Sequence, residues 1–292
     1  MRVGINIGLV PDGATPVPYD EVLNLAEQVE GLGFDSIWFA DHLLYREPGG
    51  QDTGPLESWT LLTAVAARVP RITVGPIVAA TPFRNPAVLA KSAVTLDEVS
   101  GGRLVLGLGA GILEPEFRAF GIPFDHRFDR FEEAVQIIVS LLRTGRANVR
   151  GRYHRAEECV LVPAPPQGGI PVMIGGKGPR MLDLAARFAD WWNGYWIGSP
   201  AELEDYRNRL ERACSEARRD QLPVISVLAH ALLEDAPADG GTETTVRGTP
   251  TELAAALAEY AAAGVDHLIL RALPQTPRSI ATLAEALALS RA

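Results

Sequence analysis

Two adjacent titratable residues, Asp41 and His42, follow the apolar run Ser36-Ile37-Trp38-Phe39. An imidazole exchanges protons near neutral pH, and a neighbouring carboxylate can hold it in one tautomer. A short apolar strand that ends in such groups is typical of α/β proteins whose chemistry lies at the carboxyl ends of the strands. The pair is therefore predicted to form an acid/base site. The alternative is a structural pair that closes the strand.

A second candidate is the segment Gly175-Gly176-Lys177-Gly178-Pro179, which joins a short apolar run to a predicted helix. Backbone N–H groups at the amino end of a helix attract anions, and glycines let a ligand approach the backbone closely. Gly175 and Gly176 are expected to act through their amides, with Lys177 adding positive charge. The alternative is a tight turn that carries a solvated lysine.

The third candidate is the glycine run Gly107-Leu108-Gly109-Ala110-Gly111. A dinucleotide-binding fingerprint needs a helix that opens at once and an acidic residue about 20 positions later. The chain continues with Ile112-Leu113-Glu114-Pro115 instead. Gly109 and Gly111 are therefore interpreted as positions where a ring or a sugar chain approaches the backbone closely.

Strand-like and helix-like segments alternate along the chain, which is the pattern of a (β/α)8 TIM barrel of the α/β class. The predicted strands cover residues 3–7, 36–39, 72–78, 104–108, 172–174, 191–193, 224–232 and 266–270. The predicted helices cover residues 19–30, 56–68, 86–99, 128–142, 179–188, 200–219, 250–263 and 279–289. No low-complexity linker interrupts the alternation, so residues 1–292 are predicted to form a single domain.

Three connections are longer than ordinary barrel loops, and long loops in a compact domain are usually functional. Residues 43–55 and 112–127 follow predicted strands, so they are expected as insertions at the carboxyl face, where they would shape a substrate pocket. Residues 146–169 follow a helix and are predicted to form a short hairpin at the opposite face.

Composition and charge argue against several classes of protein. A net charge of −9 argues against a nucleic-acid partner. Cys159 and Cys214 are the only cysteines and the histidines show no ligand spacing, so neither a disulfide framework nor a metal site is expected. The apolar runs are too short to span a bilayer and the chain begins directly with a strand, which predicts a cytoplasmic protein without a membrane partner.

The motifs together resemble the bacterial luciferase-like flavin-dependent oxidoreductases, in particular their coenzyme F420-dependent branch. The segments that carry the resemblance are residues 34–42, 71–75, 84–86, 96–104, 107–111, 114–117, 120–124, 174–176, 189–193 and 264–268. They cover nearly the whole chain in the order of the family. The resemblance implies a (β/α)8 barrel with an insertion, which agrees with the alternation of segments.

The resemblance also implies roles for the candidate residues. Asp41 and His42 would lie at the deazaflavin ring, with His42 as the acid/base residue and Asp41 as its polar companion. Gly175, Gly176 and Lys177 would hold the phosphate of the cofactor.

Relatives also carry a bulge with a non-proline cis peptide that supports the middle of the ring. The corresponding bond here joins Ile77 and Val78, and the resemblance predicts that it is cis and lies at the cofactor. The residues by themselves are those of an ordinary barrel strand. Gly109 and Gly111 would line the same cofactor pocket.

One position departs from the sugar-phosphate dehydrogenase branch of the family. That branch has a catalytic glutamate directly after the corresponding glycine, and here the residue is Ile112. Sugar-phosphate oxidation is therefore not favoured, and Asp41 is the only acidic partner expected for His42.

Several residues on the carboxyl-face loops are candidates for substrate contact. Arg46, Arg84 and Tyr45 are placed to meet an anionic substrate or the tail of a cofactor. One ring of the aromatic cluster at residues 191–196 is expected to border the pocket. The predicted substrate pocket contains Tyr45, Arg46, Ile112 and Trp196.

The leading hypothesis is an oxidoreductase that transfers a hydride between coenzyme F420 and a small organic substrate, with His42 handling the proton. FMN shares the tricyclic ring and the ribityl phosphate, so an FMN-dependent monooxygenase that uses molecular oxygen is an alternative. A non-catalytic flavin-binding protein on the same barrel is a further alternative. An unrelated aldolase or hydrolase barrel is not favoured, because neither a metal cluster nor a Schiff-base lysine is evident. By likeness to its relatives, the chain is expected to form a homodimer.

Overall fold

The computed structural model describes residues 1–11, 15–46, 50–197, 199–233 and 245–292. Its strands are β1 Arg2–Asn6, β2 Ser36–Phe39, β3 Thr73–Pro76, β4 Ala79–Ala80, β5 Leu106–Gly109, β6 Arg146–Arg150, β7 Arg155–Val160, β8 Val172–Gly175, β9 Trp191–Tyr195, β10 Val224–Leu232, β11 Thr245–Arg247 and β12 His267–Leu273. Its helices are α1 Tyr19–Gly31, α2 Ser58–Arg68, α3 Pro86–Ser100, α4 Glu114–Ala119, α5 Arg127–Thr144, α6 Pro179–Phe188, α7 Pro200–Glu216, α8 Pro250–Ala262 and α9 Pro277–Arg291. Residues 47–49 of the first long loop lie outside the described ranges.

The strands form a parallel barrel, as the alternation predicts. Around the barrel the order is β3-β2-β1-β12-β10-β9-β8-β5-β4, and a parallel bridge between Val74 of β3 and Leu104 links the two ends of this series. The predicted third strand is divided into β3 and β4 at the Ile77–Val78 bond, which is cis as predicted. The (β/α)8 prediction is confirmed.

The barrel has an inner and an outer apolar layer, because successive residues of a strand point to opposite faces. The outer layer lies between the strands and the helices and contains, for example, Ile37 and Leu270. A residue two positions beyond an inner-layer residue points towards the carboxyl mouth of the barrel. This alternation decides which side chains can build a site there. The inner layer consists of Trp38, Ile77, Val105, Met173, Trp191, Leu228 and Ile269.

The long connections contain additional elements. Strands β6 and β7 pair antiparallel, with Arg146 opposite Val160 and Arg150 opposite Arg155, which confirms the hairpin predicted for residues 146–169. The second long loop contains the helix α4, which was not predicted. Its first turn carries Glu114 and Glu116, and acidic residues there stabilise the amino end of a helix.

Local signals account for most of the helix boundaries. Thr249 and Glu252 form a capping box at the start of α8. Asn85 accepts hydrogen bonds from the first two backbone N–H groups that follow Pro86 at the start of α3. None of the helices in the described ranges is long and apolar enough to cross a bilayer. The single domain, the cytoplasmic location and the homodimer stay predictions.

Candidate active site

His42 lies just beyond β2 and is held by a buried carboxylate of α4. Its Nδ1 is 3.1 Å from Oε1 of Glu116, and the Glu116 side chain is 1% exposed. The other oxygen of Glu116 accepts hydrogen bonds from the backbone N–H groups of Leu43 (2.8 Å) and Leu44 (3.4 Å). A carboxylate that accepts through both oxygens places the proton of a neutral imidazole on Nδ1, which leaves Nε2 for proton exchange.

The carboxylate that meets His42 is Glu116 and not Asp41, which corrects the expected pairing. The buried carboxylate of Asp41 accepts hydrogen bonds from Ser58 Oγ (2.7 Å) and the Ala80 backbone N–H (2.9 Å). It also accepts from both terminal nitrogens of Arg84, at 2.6 and 3.2 Å. Asp41 thus ties the end of β2 to α2 and β4. A direct role of Asp41 at a cofactor stays a prediction.

The two arginines expected to meet an anion are paired within the chain. Arg84 pairs with both Asp41 and Glu57. Burial lowers the pKa of Arg84, but the hydrogen bonds and charges of the two carboxylates outweigh it, and the net pKa is raised. Arg46 donates from Nε to Asp52 at 2.8 Å on an exposed loop. Such a pair opens easily in water, so contact of Arg46 with a substrate stays a prediction.

Tyr45 forms the wall of the mouth next to His42. The two ring centroids are 5.0 Å apart, and backbone hydrogen bonds to Thr53 hold the tyrosine in place at 2.7 and 3.1 Å. Burial raises the pKa of the Tyr45 hydroxyl. A neutral phenol therefore adjoins the imidazole, and contact of Tyr45 with a substrate stays a prediction.

The mouth carries no large side chains at the ends of β5 and β8. A Cβ on Gly175 would come within 2.9 Å of Val78 Cγ1, and a Cβ on Gly109 would overlap Val78 Cγ2. These glycines are therefore required by the side chain that follows the cis Ile77–Val78 bond. Contact of Ile77, Val78 and the two glycines with a cofactor stays a prediction.

Gly111 is required for a different reason. Its φ of +74° favours glycine, and a Cβ there would overlap the ring of Phe117. Phe117 lies beside Glu116 on α4, so Gly111 lets this helix pack against the end of β5. The predicted place of Gly111 in a cofactor pocket is not tested by this packing.

The amide donors at α6 differ from those expected. The N–H of Gly176 already donates to the carbonyl of Asn193 at 3.1 Å, which corrects the expectation that this amide is available. The N–H groups of Lys177 and Gly178 have no acceptor within the described part of the chain. The Lys177 ammonium lies 3.5 Å from Glu202 Oε1 and 3.4 Å from the Trp196 carbonyl oxygen. The backbone N–H groups of Lys177 and Gly178 are therefore the ones here that could donate to an anion, and anion-binding roles for Gly175 and the lysine side chain stay predictions.

Strands β10 and β12 bring two further polar residues to the mouth. His230 and Arg271 are partners in the register of these strands, and each lies two positions beyond an inner-layer residue, Leu228 and Ile269. Trp196 stacks on His230 with ring centroids 3.8 Å apart. Burial, with a smaller effect of Arg271, lowers the pKa of His230 to about 4, so the imidazole is neutral at pH 7.

No role was predicted from the sequence for Glu116, His230 or Arg271. His230 and Arg271 each lie two positions after an inner-layer residue, so they could have been identified once the inward-facing residues of β10 and β12 were known. Ile112 is 65% exposed beyond the end of β5, and its contact with a substrate stays a prediction. No group of three metal-binding side chains occurs within the ranges that the structure describes.

Residues 1–237 match the family described as luciferase-like monooxygenase. The match covers most of the chain, so the chain belongs to the luciferase-like monooxygenase family. The resemblance carried by its motifs is confirmed.

Two curated relatives differ in their reactions. The F420-dependent glucose-6-phosphate dehydrogenase of Amycolatopsis mediterranei is 32% identical over 201 residues, which cover 67% of this chain and 58% of that protein. The pyrimidine monooxygenase RutA of Stutzerimonas stutzeri is 29% identical over 274 residues, which cover 89% of this chain and 75% of that protein. The alignment thus spans less than two thirds of the length of the first relative. Similarity extends to an F420-dependent dehydrogenase and to a monooxygenase.

A solved structure supports the architecture. The F420-dependent secondary alcohol dehydrogenase in complex with an F420-acetone adduct matches with a TM-score of 0.84, over 100% of this chain and 99% of that chain. The sequences are 19% identical, so this likeness establishes the fold alone.

Proposed function

We propose that this protein is an oxidoreductase that transfers a hydride between coenzyme F420 and a small organic substrate. The observation that carries the proposal is the pair formed by His42 and Glu116. An imidazole held in one tautomer by a buried carboxylate is suited to donate or accept a proton in such a reaction. The similarity to an F420-dependent dehydrogenase supports the choice of cofactor.

The residues present fit a phosphorylated cofactor. The N–H groups of Lys177 and Gly178, which have no acceptor among the described residues, precede the first turn of α6, where the helix dipole also favours an anion. We assign the cofactor phosphate to these amides and the ring to the mouth between Val78 and His42. When bound, the cofactor supplies the hydride chemistry, while the chain supplies binding, orientation and proton transfer.

His42 exchanges the proton through Nε2. When Nε2 takes up a proton, the positive charge forms on a ring whose Nδ1 is 3.1 Å from Glu116. The carboxylate stabilises this imidazolium, and its bonds to Leu43 and Leu44 hold it in place. Tyr45 covers one side of the imidazole and limits the access of water.

Cofactor titration tests the first part of the proposal. We expect F420 to bind the purified protein at micromolar concentration, as measured by quenching of deazaflavin fluorescence, and FMN to bind at least about 100-fold more weakly. A Lys177→Ala, Gly178→Pro double variant removes the ammonium and one of the two free amides. It should weaken F420 binding, whereas Arg212→Gln on the exposed surface of α7 should not.

Turnover of His42→Ala tests the second part. We expect kcat for the exchange of hydride between F420 and small alcohols or carbonyl compounds to fall by about 100- to 10,000-fold. The Kd for F420 should stay within about threefold of the parent value. His126→Asn replaces an exposed histidine with positive φ by a residue that tolerates that conformation and serves as the matched control. Equal turnover in His42→Ala and the parent would refute the proton-transfer role and favour a non-catalytic flavin-binding protein.

The second candidate function is an FMN-dependent monooxygenase that uses molecular oxygen. It is favoured by the similarity to a monooxygenase over 89% of this chain. Tighter binding of FMN than of F420, together with oxygen consumption that depends on a substrate, would establish it in place of the F420 reaction.

A further inference from the structure

Among the residues that the structure describes, the side chain of Arg271 differs from those of three other cations near the barrel mouth. Arg46 pairs with Asp52, Arg84 with Asp41 and Glu57, and Lys177 with Glu202, whereas the Arg271 side chain makes no hydrogen bond or ion pair with a described residue. Its Nε is buried without an acceptor. The Arg271 side chain is half-buried, and a buried polar atom without a hydrogen-bond acceptor is costly, so such a group in a native protein calls for a functional explanation.

The position of Arg271 directs it towards the candidate active site. Ile269 belongs to the inner layer, so Arg271, two residues later on β12, points into the mouth. A Cβ on Gly8 would lie 2.9 Å from Arg271 Nη2, so the absence of a side chain at Gly8 makes room for the guanidinium. Gln275 fixes the Gly8 backbone with two hydrogen bonds, at 2.6 and 2.9 Å.

The neighbours of Arg271 are neutral. His230 is its register partner on β10 and has its pKa lowered to about 4 by burial and, to a lesser extent, by Arg271. Burial raises the pKa of the Tyr45 hydroxyl and outweighs the opposite effect of nearby Arg271, so the hydroxyl is neutral at pH 7. Burial also lowers the pKa of Arg271 itself, although a guanidinium stays charged at neutral pH. Among the described residues of the mouth, the positive charge of Arg271 is therefore not compensated.

The order of the strands separates this charge from the proposed phosphate site. The amides of Lys177 and Gly178 follow β8, and β9 and β10 lie between β8 and β12. On its other side β12 adjoins β1, which adjoins β2 and its residue His42. One strand thus separates β12 from the strand that precedes His42, whereas two strands separate it from the strand that precedes α6.

We propose that Arg271 binds an anionic group of the substrate, a carboxylate or a phosphate, in the mouth beside Tyr45 and His42. This inference deepens the proposed function and rests on it, since the anion is assigned to the substrate and not to the cofactor. A planar guanidinium matches either anion with two parallel hydrogen bonds, so it would orient the substrate as well as hold it. The substrate class is therefore a small organic acid or a phosphate ester.

Binding of small anions tests the proposal without any turnover. Acetate, benzoate and inorganic phosphate are titrated at constant ionic strength into the parent protein, both free and loaded with F420. Tryptophan fluorescence provides the signal because Trp196 stacks on His230, the neighbour of Arg271. We expect millimolar binding of at least one anion, and binding by Arg271→Gln that is weaker by about 10- to 100-fold. Preference for acetate and benzoate or for phosphate identifies the anionic group.

Two further variants make the result specific. Arg271→Lys retains the charge but loses the planar fork, so it should weaken binding by about threefold to tenfold. Arg212→Gln removes one exposed arginine from α7 and should bind like the parent. If Arg271→Gln fails to fold, a crystal structure of the parent soaked in the bound anion replaces it, and the anion must lie within hydrogen-bond distance of the guanidinium.

The outcomes separate this inference from the proposed function. Unchanged anion binding in Arg271→Gln, or no anion binding to the parent, would overturn the inference whatever the result with F420. Loss of F420 binding in Arg271→Gln with unchanged anion binding would also overturn it, because the residue would then serve the cofactor. If the parent binds neither F420 nor FMN but binds anions through Arg271, the anion site stands and the proposed function fails.

Discussion

The two sides of the barrel mouth are built in opposite ways. At β5 and β8, glycines accommodate Val78, and the contacts among these residues are complete within the chain. At β2, β10 and β12, the mouth carries the hydrogen-bonded pair of His42 and Glu116. It also carries Arg271, whose side chain has no partner among the described residues. Packing against Val78 accounts for the glycines, whereas the polar side contains a charge that the described residues leave without a partner. Under the proposed function, the glycine side shapes the cavity and the polar side selects what enters it.

The largest expected effect is a loss of stability from a substitution that disrupts the packing of the glycine side. In Gly107→Ala the new methyl group would overlap the Pro76 carbonyl oxygen and lie 2.9 Å from Met173 Cε. Backbone cannot yield easily, so we expect the free energy of unfolding in urea to fall by about 3 kcal/mol or more. Gly31→Ala at the end of α1, where a Cβ meets no atom within 4 Å, should be neutral or slightly stabilising. Equal stability of the two variants would show that the close packing of this side is not required.

The second expected effect is a loss of folding stability at acid pH, and it comes from the buried His267 of β12. His267 of β12 is buried between Ser36 Oγ (2.7 Å) and Ser226 Oγ (3.3 Å), and burial, with a smaller effect of Arg2, lowers its pKa to about 3. In the unfolded chain this histidine takes up a proton near pH 6.5, whereas in the folded chain it stays neutral. Its contribution to the free energy of unfolding is therefore fully present above pH 6.5 and is lost as the pH falls towards 3. The loss should be about 2 kcal/mol at pH 5.

Urea unfolding at pH 7 and pH 5 measures this loss. In His267→Gln the difference in unfolding free energy between the two pH values should be smaller than in the parent by that amount, because other titrating groups contribute equally to both proteins. An identical pH dependence of the two proteins would contradict burial of a neutral imidazole in the barrel.

The third and smallest expected effect tests whether Glu116 sets the tautomer of His42. In Glu116→Gln one amide oxygen can still accept from Leu43, but the NH2 group faces His42 and donates to Nδ1. The ring proton then moves to Nε2, and we expect kcat to fall by about tenfold with little change in KM or in the Kd for F420. The 15N chemical shifts of His42 should report the exchange of tautomers.

Glu98→Gln on the exposed face of α3 is the matched control and should leave both quantities unchanged. If Glu116→Gln alters the 15N shifts but leaves kcat at the parent value, the tautomer of His42 does not matter for catalysis. If neither quantity changes, Glu116 only anchors the backbone of Leu43 and Leu44.

The features that could be predicted from the sequence are those that depend on interactions between residues a few positions apart. β2, β10 and α6 have the predicted bounds residue for residue, because apolar runs, proline and glycine act within a few positions. The cis Ile77–Val78 bond was predicted from the family resemblance and not from the residues, which resemble those of an ordinary strand. The helix α4 was missed because it has only the six residues Glu114–Ala119 within a long connection.

The sequence by itself determined the barrel, the positions of its strands and the presence of titratable groups after β2, since hydrophobic periodicity and local turn signals are properties of neighbouring residues. Only the tertiary structure decided which charged and polar side chains pair with one another. Asp41 and His42 are adjacent in the chain, yet one carboxylate binds Arg84 while Glu116, 74 positions away, holds the imidazole. Arg271 likewise acquires its meaning only when closure of the barrel brings β12 beside β1 and leaves its charge unpaired among the described residues. Electrostatic and hydrogen-bond partners depend on distance in space, which the order of residues does not specify.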